Sequence, residues 1–250
     1  MYIQMYKRIG IIGGHGSNAA IELQYYINEE INKKSDTRKY IKTVVINDAT
    51  VNTDTDTVFD LYENTNPKVE ESVFKAYDSL VKLGCNIITI PCNTYSPILS
   101  KKNITGVKVV NIIDVTRDYI VSKFKEGTKI GLIGTQKTIN TRLYHDRLEN
   151  YEIVCFEELK LDINSIILCA QYGYYNIKPT KKLLFKLKIK EANLIKTMNK
   201  IIDKFTENGI RHLILGCTEL PLFVKYNRKK LHKIEFIDTM EILAKQITHK

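Results

Sequence analysis

The chain has 250 residues, and 44% of them are hydrophobic. That fraction suffices for a packed core and is too high for an intrinsically disordered chain, while the length fits one large domain or two small ones. No stretch approaches the roughly 18 apolar residues of a membrane span. The first ten residues lack the apolar segment and cleavage site of a signal peptide, so we expect a cytoplasmic protein.

The chain is basic, with 38 lysines and arginines against 28 acidic residues and a formal net charge of +10. Two segments concentrate this charge, Lys178–Lys190 and Arg228–Lys233. Neither alternates with aromatic residues as a base-stacking surface would. We interpret both as solvated helix faces and expect neither a nucleic-acid nor a membrane partner, although a positive field would attract a small anionic substrate.

The cysteine pattern excludes two common uses of cysteine. There are five cysteines, an odd number, with no C-x-x-C pair, and the five histidines are scattered without zinc spacing. A disulfide framework and a structural zinc site are therefore not expected, and free thiols in a reducing compartment fit better. The cysteines are Cys85, Cys92, Cys155, Cys169 and Cys217.

Short β-rich runs alternate with longer helical patterns along the chain, which predicts parallel sheets built from strand–helix units. The predicted strands are Arg8–Ile12, Thr43–Asn47, Asn86–Ile90, Lys108–Ile112, Lys129–Ile133, Glu152–Cys155, His212–Leu215 and Ile234–Ile237. The predicted helices are Asn18–Lys33, Pro67–Leu83, Val115–Lys125, Thr138–Asn150, Lys190–Glu207 and Thr239–Thr248.

Four residues mark expected helix ends. Asp114 and Asp238 occupy positions where the side chain would cap a helix N-terminus. Gly84 and Gly209 follow helices at the point where a left-handed residue commonly ends them.

An internal repeat is the most informative feature of the sequence. Ile9–Ser17 (IGIIGGHGS) resembles Ile130–Thr138 (IGLIGTQKT), Asn86–Leu99 resembles Arg211–Phe223, and Lys108–Ile120 resembles Lys233–Ala244. These three matches occur in the same order, with offsets of 121, 125 and 124 positions. Matches at nearly one offset indicate two similar structural units in one chain.

We therefore expect an α/β fold of two similar lobes, each a mostly parallel sheet flanked by helices, related by a pseudo-two-fold axis with a cleft between them. The expected boundaries are residues 1–113 plus about 225–250 for the first lobe and 114–224 for the second. Ligands of open parallel sheets bind beyond the carboxyl ends of the strands. The repeat places Cys92 and Cys217 at equivalent points there.

The two equivalent cysteines have the sequence context of reactive thiols. Each follows an apolar run and precedes polar residues, Asn93 and Thr94 in one case and Thr218 in the other, where a helix should begin. A helix N-terminus favours the thiolate. One thiolate and one thiol on opposite faces of a carbon would invert its configuration by taking a proton from one face and returning one to the other.

The segments IGIIGGHGSNAA, IPCNTYS, LGCTELPL and FIDTMEILA resemble the aspartate/glutamate racemase family, the two-cysteine racemases that use no pyridoxal phosphate, over nearly the whole chain. GCTE in place of GCTHYP points to the aspartate racemase branch. The resemblance implies an amino-acid substrate, no cofactor, no metal and often a homodimer.

The resemblance also implies roles for individual residues. Cys92 and Cys217 would be the catalytic base and acid, and the adjoining Asn93, Thr94 and Thr218 would hold the α-carboxylate region. Thr135, in the turn after the fifth strand, would also contact the substrate. In the segment Tyr172–Pro179, Lys178 would supply a cation for a substrate carboxylate.

The sequence departs from the family at two positions. The family usually has GGMGP where this chain has GGHGS, so that His15 stands near the substrate end of the pocket, where it would titrate or hydrogen-bond a substrate side chain. Many members carry an arginine after the second strand, roughly where this chain has Asp54. An acid there would repel an acidic side chain, so a neutral amino acid is also a credible substrate.

Other interpretations have weaker support. Gly14–Ala19 matches G-x-G-x-x-A, but the acidic residue that should end the second strand about 20 positions later is Asp48, about 30 positions on, so a turn that admits substrate is simpler. Asp54–Asp56 lacks the glycine and terminal glutamate of a calcium loop. Two other functions remain open: a two-cysteine cis–trans isomerase of a dicarboxylate on the same scaffold, and a non-catalytic protein that binds an amino acid or nucleic acid.

Overall fold

A computed structural model of the chain describes residues 7–15, 18–33, 41–49, 67–102, 104–173, 179–186 and 193–249. The chain divides into two compact units. The first comprises Met1–Thr116 together with Met240–Lys250, and the second is Arg117–Thr239.

The first unit contains a four-stranded parallel sheet in the order β2-β1-β3-β4. Its strands are β1 (Arg8–Gly13), β2 (Lys42–Asn47), β3 (Ile87–Thr89) and β4 (Lys108–Val110). Its helices are α1 (Ala19–Lys33), α2 (Pro67–Lys82), the first part of α3 (Ile112–Lys123) and α9 (Thr239–Thr248), with a 3₁₀ helix at Ser96–Lys101.

The packing of α2 on this sheet follows from its apolar spacing. Val69, Val73, Ala76 and Leu80 recur on one helix face and are all buried. A Cβ at Gly10 of β1 would lie 3.0 Å from the Leu80 side chain, so the glycine lets the helix approach the central strand closely. Burial of this face anchors the sheet whose strand ends carry candidate site residues.

The second unit contains a parallel sheet in the order β6-β5-β7-β8. Its strands are β5 (Lys129–Gly134), β6 (Glu152–Val154), β7 (His212–Gly216) and β8 (Glu235–Ile237). Its helices are α4 (Gln136–Asn140), α5 (Lys160–Gln171), α6 (Lys181–Lys186), α7 (Leu194–Glu207) and α8 (Glu219–Asn227), with 3₁₀ helices at His145–Arg147, Glu157–Leu159 and Arg228–Lys230.

The two sheets have the same strand order, which confirms the prediction of two similar α/β lobes. β1 and β5 are the second strands of their sheets, and β3 and β7 are the third. All eight predicted strands are present, with ends that differ by no more than two residues. The sequence repeat is therefore a repeat of architecture.

Some predicted helix boundaries were wrong. The predicted helix Thr138–Asn150 is interrupted: α4 ends at Asn140, and Arg142 has a φ of 52°, a left-handed conformation that an α-helix does not accommodate. Asp114 is not an N-cap, because α3 begins at Ile112 and the Asn111 side chain accepts a hydrogen bond from Ile113 N at 2.8 Å. Residue Asp238 directly precedes α9, as predicted.

Both predicted helix-ending glycines adopt the expected backbone conformation, since Gly84 and Gly209 each have a φ of 76°. The segment that completes the first unit begins at Met240, whereas we expected about residue 225. The physical reason is that β8 hydrogen-bonds to β7, which holds this strand in the second sheet.

Candidate active site

The candidate residues follow the two inner strands of each sheet. His15 follows β1, and Cys92, Asn93 and Thr94 follow β3. In the second unit Thr135 follows β5, while Cys217 and Thr218 follow β7. Each sheet thus gathers its own candidates at its carboxyl edge, where parallel sheets bind ligands. Lys178 and Asp54 lie outside the described residues.

Cys92 lies in the core of the first unit, 7% exposed, in the apolar cluster that includes Ile12, Ile90 and Tyr95. The Ser96 N–H donates to the Cys92 carbonyl at 2.9 Å, which closes a turn before the 3₁₀ helix. The α-helix that we expected to start after Cys92 is therefore replaced by a turn and a 3₁₀ helix. Asn93 is buried and Thr94 is half-buried beside it.

His15 and Tyr95 form a buried aromatic contact next to this turn, with ring centroids 4.9 Å apart at 52°. Burial lowers the pKa of His15 to about 4, although the nearby Asp48 carboxylate opposes the shift. Burial, and to a lesser extent the charge of Cys92, raise the pKa of Tyr95 to about 12. Both rings are therefore uncharged near neutral pH, and His15 Nδ1 has no hydrogen-bond partner within the described ranges.

Cys217 contacts a buried carboxyl group. Its Sγ donates to Glu219 Oε2 at 2.9 Å, and the Thr218 hydroxyl donates to the same oxygen at 3.4 Å. Glu219 is the first residue of α8 and is 6% exposed. Burial raises the pKa of Glu219, while hydrogen bonds from Cys217, its own backbone, Thr218 and Gln171 oppose that shift.

Thr135 has a local structural role at the end of β5. Its hydroxyl accepts from Thr138 N at 3.2 Å, which caps α4, and it lies 3.0 Å from the Thr138 hydroxyl. Both threonines are buried. A substrate contact by Thr135 would therefore come from a residue that is already held in one conformation.

Glycines bring the ends of β5 and β7 close together. Gly134 and Gly216 are partners in the parallel pair, and a Cβ at Gly134 would lie 2.9 Å from the Gly216 carbonyl oxygen. A larger residue would force the two strands apart. Because Gly134 and Gly216 have no side chains, the two strand ends pair closely, and the turns that carry Thr135 and Cys217 lie side by side.

Sequence reasoning missed two residues that contact the candidate cysteines or their surroundings, Glu219 and Tyr95. Glu219 stood in the GCTE motif, two positions after Cys217, but a contact through a helix start cannot be inferred from spacing alone. Tyr95 follows Cys92 by three positions, and its contact with His15 joins the ends of two different strands.

Two further findings concern metal binding and membrane spanning. Within the described ranges, no group of three histidine, cysteine, aspartate or glutamate side chains is arranged to hold a metal ion. The helices in the described part of the chain include none of the length and apolarity that spanning a membrane requires.

Known proteins resemble this chain in sequence. The model of the family described as Asp/Glu/Hydantoin racemase matches residues 12–247. Glutamate racemase 3 of Caldanaerobacter subterraneus subsp. tengcongensis is 26% identical over 178 residues, which cover 66% of this chain and 55% of that protein. The chain thus spans little more than half the length of that relative.

Solved structures share the fold over almost the whole chain. An aspartate racemase homologue from Pyrococcus horikoshii OT3 superposes with a TM-score of 0.69 at 24% identity, covering 96% of this chain and 97% of the other. Picrophilus torridus aspartate racemase superposes with a TM-score of 0.71 at 22% identity, covering 96% and 92%.

Proposed function

Because the chain belongs to the Asp/Glu/hydantoin racemase family, we propose that it is a cofactor-independent amino-acid racemase of the aspartate/glutamate type. One observation carries this proposal. A cysteine, Cys92 or Cys217, follows the third strand of each of two sheets that have the same strand order. A protein that only bound an amino acid would need neither thiol.

The proposed reaction is proton transfer at Cα by the two thiols. One sulfur, as thiolate, removes the Cα proton from one face, and the other, as thiol, donates a proton to the opposite face. In the reverse direction the two sulfurs exchange roles. Removal of the Cα proton adds negative charge to the substrate, and hydrogen-bond donors to its carboxylate would stabilise that charge. We assign this task to Asn93, Thr94 and Thr218.

Three other residues complete the proposed site. Thr135 would contact the substrate from the end of β5, and Lys178 would supply a cation for a carboxylate. His15 would face the substrate side chain. Since the His15 imidazole is uncharged near neutral pH, it would offer a hydrogen bond and no positive charge.

The substrate side chain is the open part of the proposal. Aspartate and glutamate are the first substrates to test, since the family model names both acids. Neutral amino acids are the second class, because Asp54 stands roughly where many relatives carry an arginine. A panel of both enantiomers of acidic and neutral amino acids separates these classes.

The decisive experiment is exchange of the Cα proton in D₂O, followed by NMR together with optical rotation. The wild-type chain should exchange and invert at least one amino acid without added cofactor. Cys92→Ser and Cys217→Ser should each lose inversion, because one face then lacks its proton donor or acceptor. Racemisation at the wild-type rate in both variants would contradict the assignment.

A matched control comes from the remaining cysteines. Cys155 is only partly buried and lies at the end of β6, an outer strand of its sheet. Cys155→Ser should keep full activity. Loss of activity in this variant as well would indicate a general sensitivity to thiol replacement.

Assembly and location are part of the same proposal. We propose a homodimer that works in the cytoplasm, where five free cysteines would stay reduced. Light scattering coupled to size-exclusion chromatography measures the oligomeric state, and cell fractionation tests the cytoplasmic location. A monomeric mass across a wide concentration range would contradict the dimer.

A further inference from the structure

The turn that carries Cys92 is closed at its far end by Ser96. The Ser96 N–H donates to the Cys92 carbonyl at 2.9 Å, and the Ser96 hydroxyl donates to the Asn93 carbonyl at 3.3 Å. Ser96 is only 3% exposed, so these bonds are shielded from competition by solvent. One buried serine therefore holds the backbone of two proposed site residues, the thiol and a carboxylate-binding asparagine.

Asn111, which directly follows β4, contacts the same serine through both atoms of its side-chain amide. The Ser96 hydroxyl lies 3.3 Å from Asn111 Oδ1, so its proton is shared between this oxygen and the Asn93 carbonyl. Asn111 Nδ2 donates to the Ser96 carbonyl at 3.5 Å. The Ile113 N–H donates to Asn111 Oδ1 at 2.8 Å, which fixes this atom as the oxygen and turns Nδ2 toward Ser96.

Capping of α3 does not by itself require an asparagine. The N-cap needs one acceptor for the Ile113 N–H, which serine, threonine or aspartate would supply equally well. Of these residue types only asparagine carries an acceptor and a donor on one side chain of this length. Asn111 thus joins the Cys92 turn to the start of α3, the helix in which the chain passes from the first unit to the second.

We propose that Asn111 is a positioning residue that acts through Ser96 and holds Cys92 and Asn93 in their productive positions at the end of β3. This inference rests on the proposed racemase function. A sulfur that exchanges a proton with Cα must keep its distance and direction from that carbon, and a misplacement of about 1 Å can cost about a hundredfold in rate. The buried tie to Asn111 restricts such a displacement.

Two variants cut this tie at its two ends. Asn111→Ser keeps the N-cap of α3 but is too short to reach Ser96, and Ser96→Ala removes the hydroxyl while leaving the backbone bond to Cys92. Each should lower kcat about tenfold, because the turn is loosened and remains intact. Initial rates with an amino acid that the wild type racemises give kcat and KM for each chain.

A double-mutant cycle tests whether Asn111 acts through Ser96. If it does, the chain that carries both Asn111→Ser and Ser96→Ala should lose about as much kcat as either single variant, about tenfold. Independent effects would multiply to a loss of about a hundredfold. A multiplicative loss overturns the inference.

A second measurement reports the position of the turn without reference to activity. The full chain is labelled with iodoacetamide, and peptide mass spectrometry gives the modification rate of each cysteine. Cys92 is 7% exposed, so both single variants should label it several-fold faster than the wild type. Cys217 is the internal reference, because its own turn is closed by the Leu220 N–H, which donates to the Cys217 carbonyl at 3.0 Å. Equal acceleration at both cysteines would overturn the inference, since it indicates general loosening.

The chain offers a matched control for each variant. Asn193→Ser makes the same replacement at another N-cap, where Asn193 Oδ1 accepts from the Lys196 N–H at 3.1 Å at the start of α7. Ser100→Ala removes an exposed hydroxyl from the 3₁₀ helix that Ser96 begins. Both controls should keep the kcat and the Cys92 labelling rate of the wild type. A comparable change in either control would overturn the inference.

Failure of this inference can be told apart from failure of the proposed function. If both cysteine-to-serine variants lose inversion but Asn111→Ser and Ser96→Ala racemise and label like the wild type, only the role of Asn111 is wrong. If Cys92 labelling responds as expected and no amino acid exchanges its Cα proton, the racemase proposal is wrong. Asn111→Thr, which also retains a capping hydroxyl, replaces Asn111→Ser if the latter does not fold.

Discussion

The His15 ring packs on the Tyr95 ring at a centroid distance of 4.9 Å, and this contact links the end of β1 to the turn that carries Cys92. Both side chains are buried, and both are uncharged near neutral pH. The contact has measurable consequences for stability, because a buried imidazole can be protonated only at a cost.

We expect His15 to make the folded state less stable in acid. Its pKa falls from 6.5 to about 4 on folding, so the unfolded chain binds a proton that the folded chain does not. The stability contribution is fully present above about pH 6.5 and is lost as the pH falls toward 4, by about 3 kcal/mol in total. Urea unfolding of wild type and His15→Gln across this range measures the difference.

The control for this prediction is His249→Gln, which removes an exposed histidine. Its free energy of unfolding should follow the wild type at every pH. If His15→Gln also follows the wild type down to pH 4, the imidazole is not kept neutral by burial.

Gly14 should not tolerate a side chain. Its φ is 94°, and a Cβ would overlap the Asp48 carbonyl at the end of the neighbouring strand β2. We expect Gly14→Ala to lower the free energy of unfolding by about 2 kcal/mol or more. Gly106→Ala has a similar φ of 74° with no atom within 4 Å, and should cost only about 1 kcal/mol. Equal costs would show that the contact with Asp48 is unimportant.

The two-thiol reaction predicts a bell-shaped dependence of kcat/KM on pH. Activity needs one sulfur ionised and the other protonated, so it should fall at both acidic and alkaline pH. Initial rates from each enantiomer, measured in one series of buffers, give the profile. A rate that stays flat from neutral to alkaline pH contradicts a requirement for a protonated thiol.

Thr135 is expected to contribute to stability through its capping bond. Thr135→Ala removes the acceptor for Thr138 N and should lower the free energy of unfolding by about 1 kcal/mol. Thr135→Ser keeps a hydroxyl and should stay close to the wild type. Chemical denaturation of the three chains makes the comparison, and similar losses in both variants would point to the methyl group.

Helices were harder to predict from the sequence than strands. Residues of α5 such as Ile166, Ile167, Leu168 and Cys169 are buried on several sides of the helix, so no polar stripe marks it. In α8, Pro221 argues against a helix, because proline lacks a backbone N–H. It lies in the first turn, however, where that N–H would have no hydrogen-bond partner within the helix. The break after α4 depends on the left-handed backbone of Arg142, a residue type with no preference for that conformation.

The sequence by itself determined eight strands, their parallel pairing in two similar units, and the equivalence of Cys92 and Cys217. These features follow from local alternation and from repeats, which are properties of neighbouring residues. Only the tertiary structure decided that Glu219 contacts Cys217, that His15 packs on Tyr95, and that β8 pairs with β7. The reason is physical: such contacts depend on how a helix start, a turn or an outer strand is positioned by packing at distant residues.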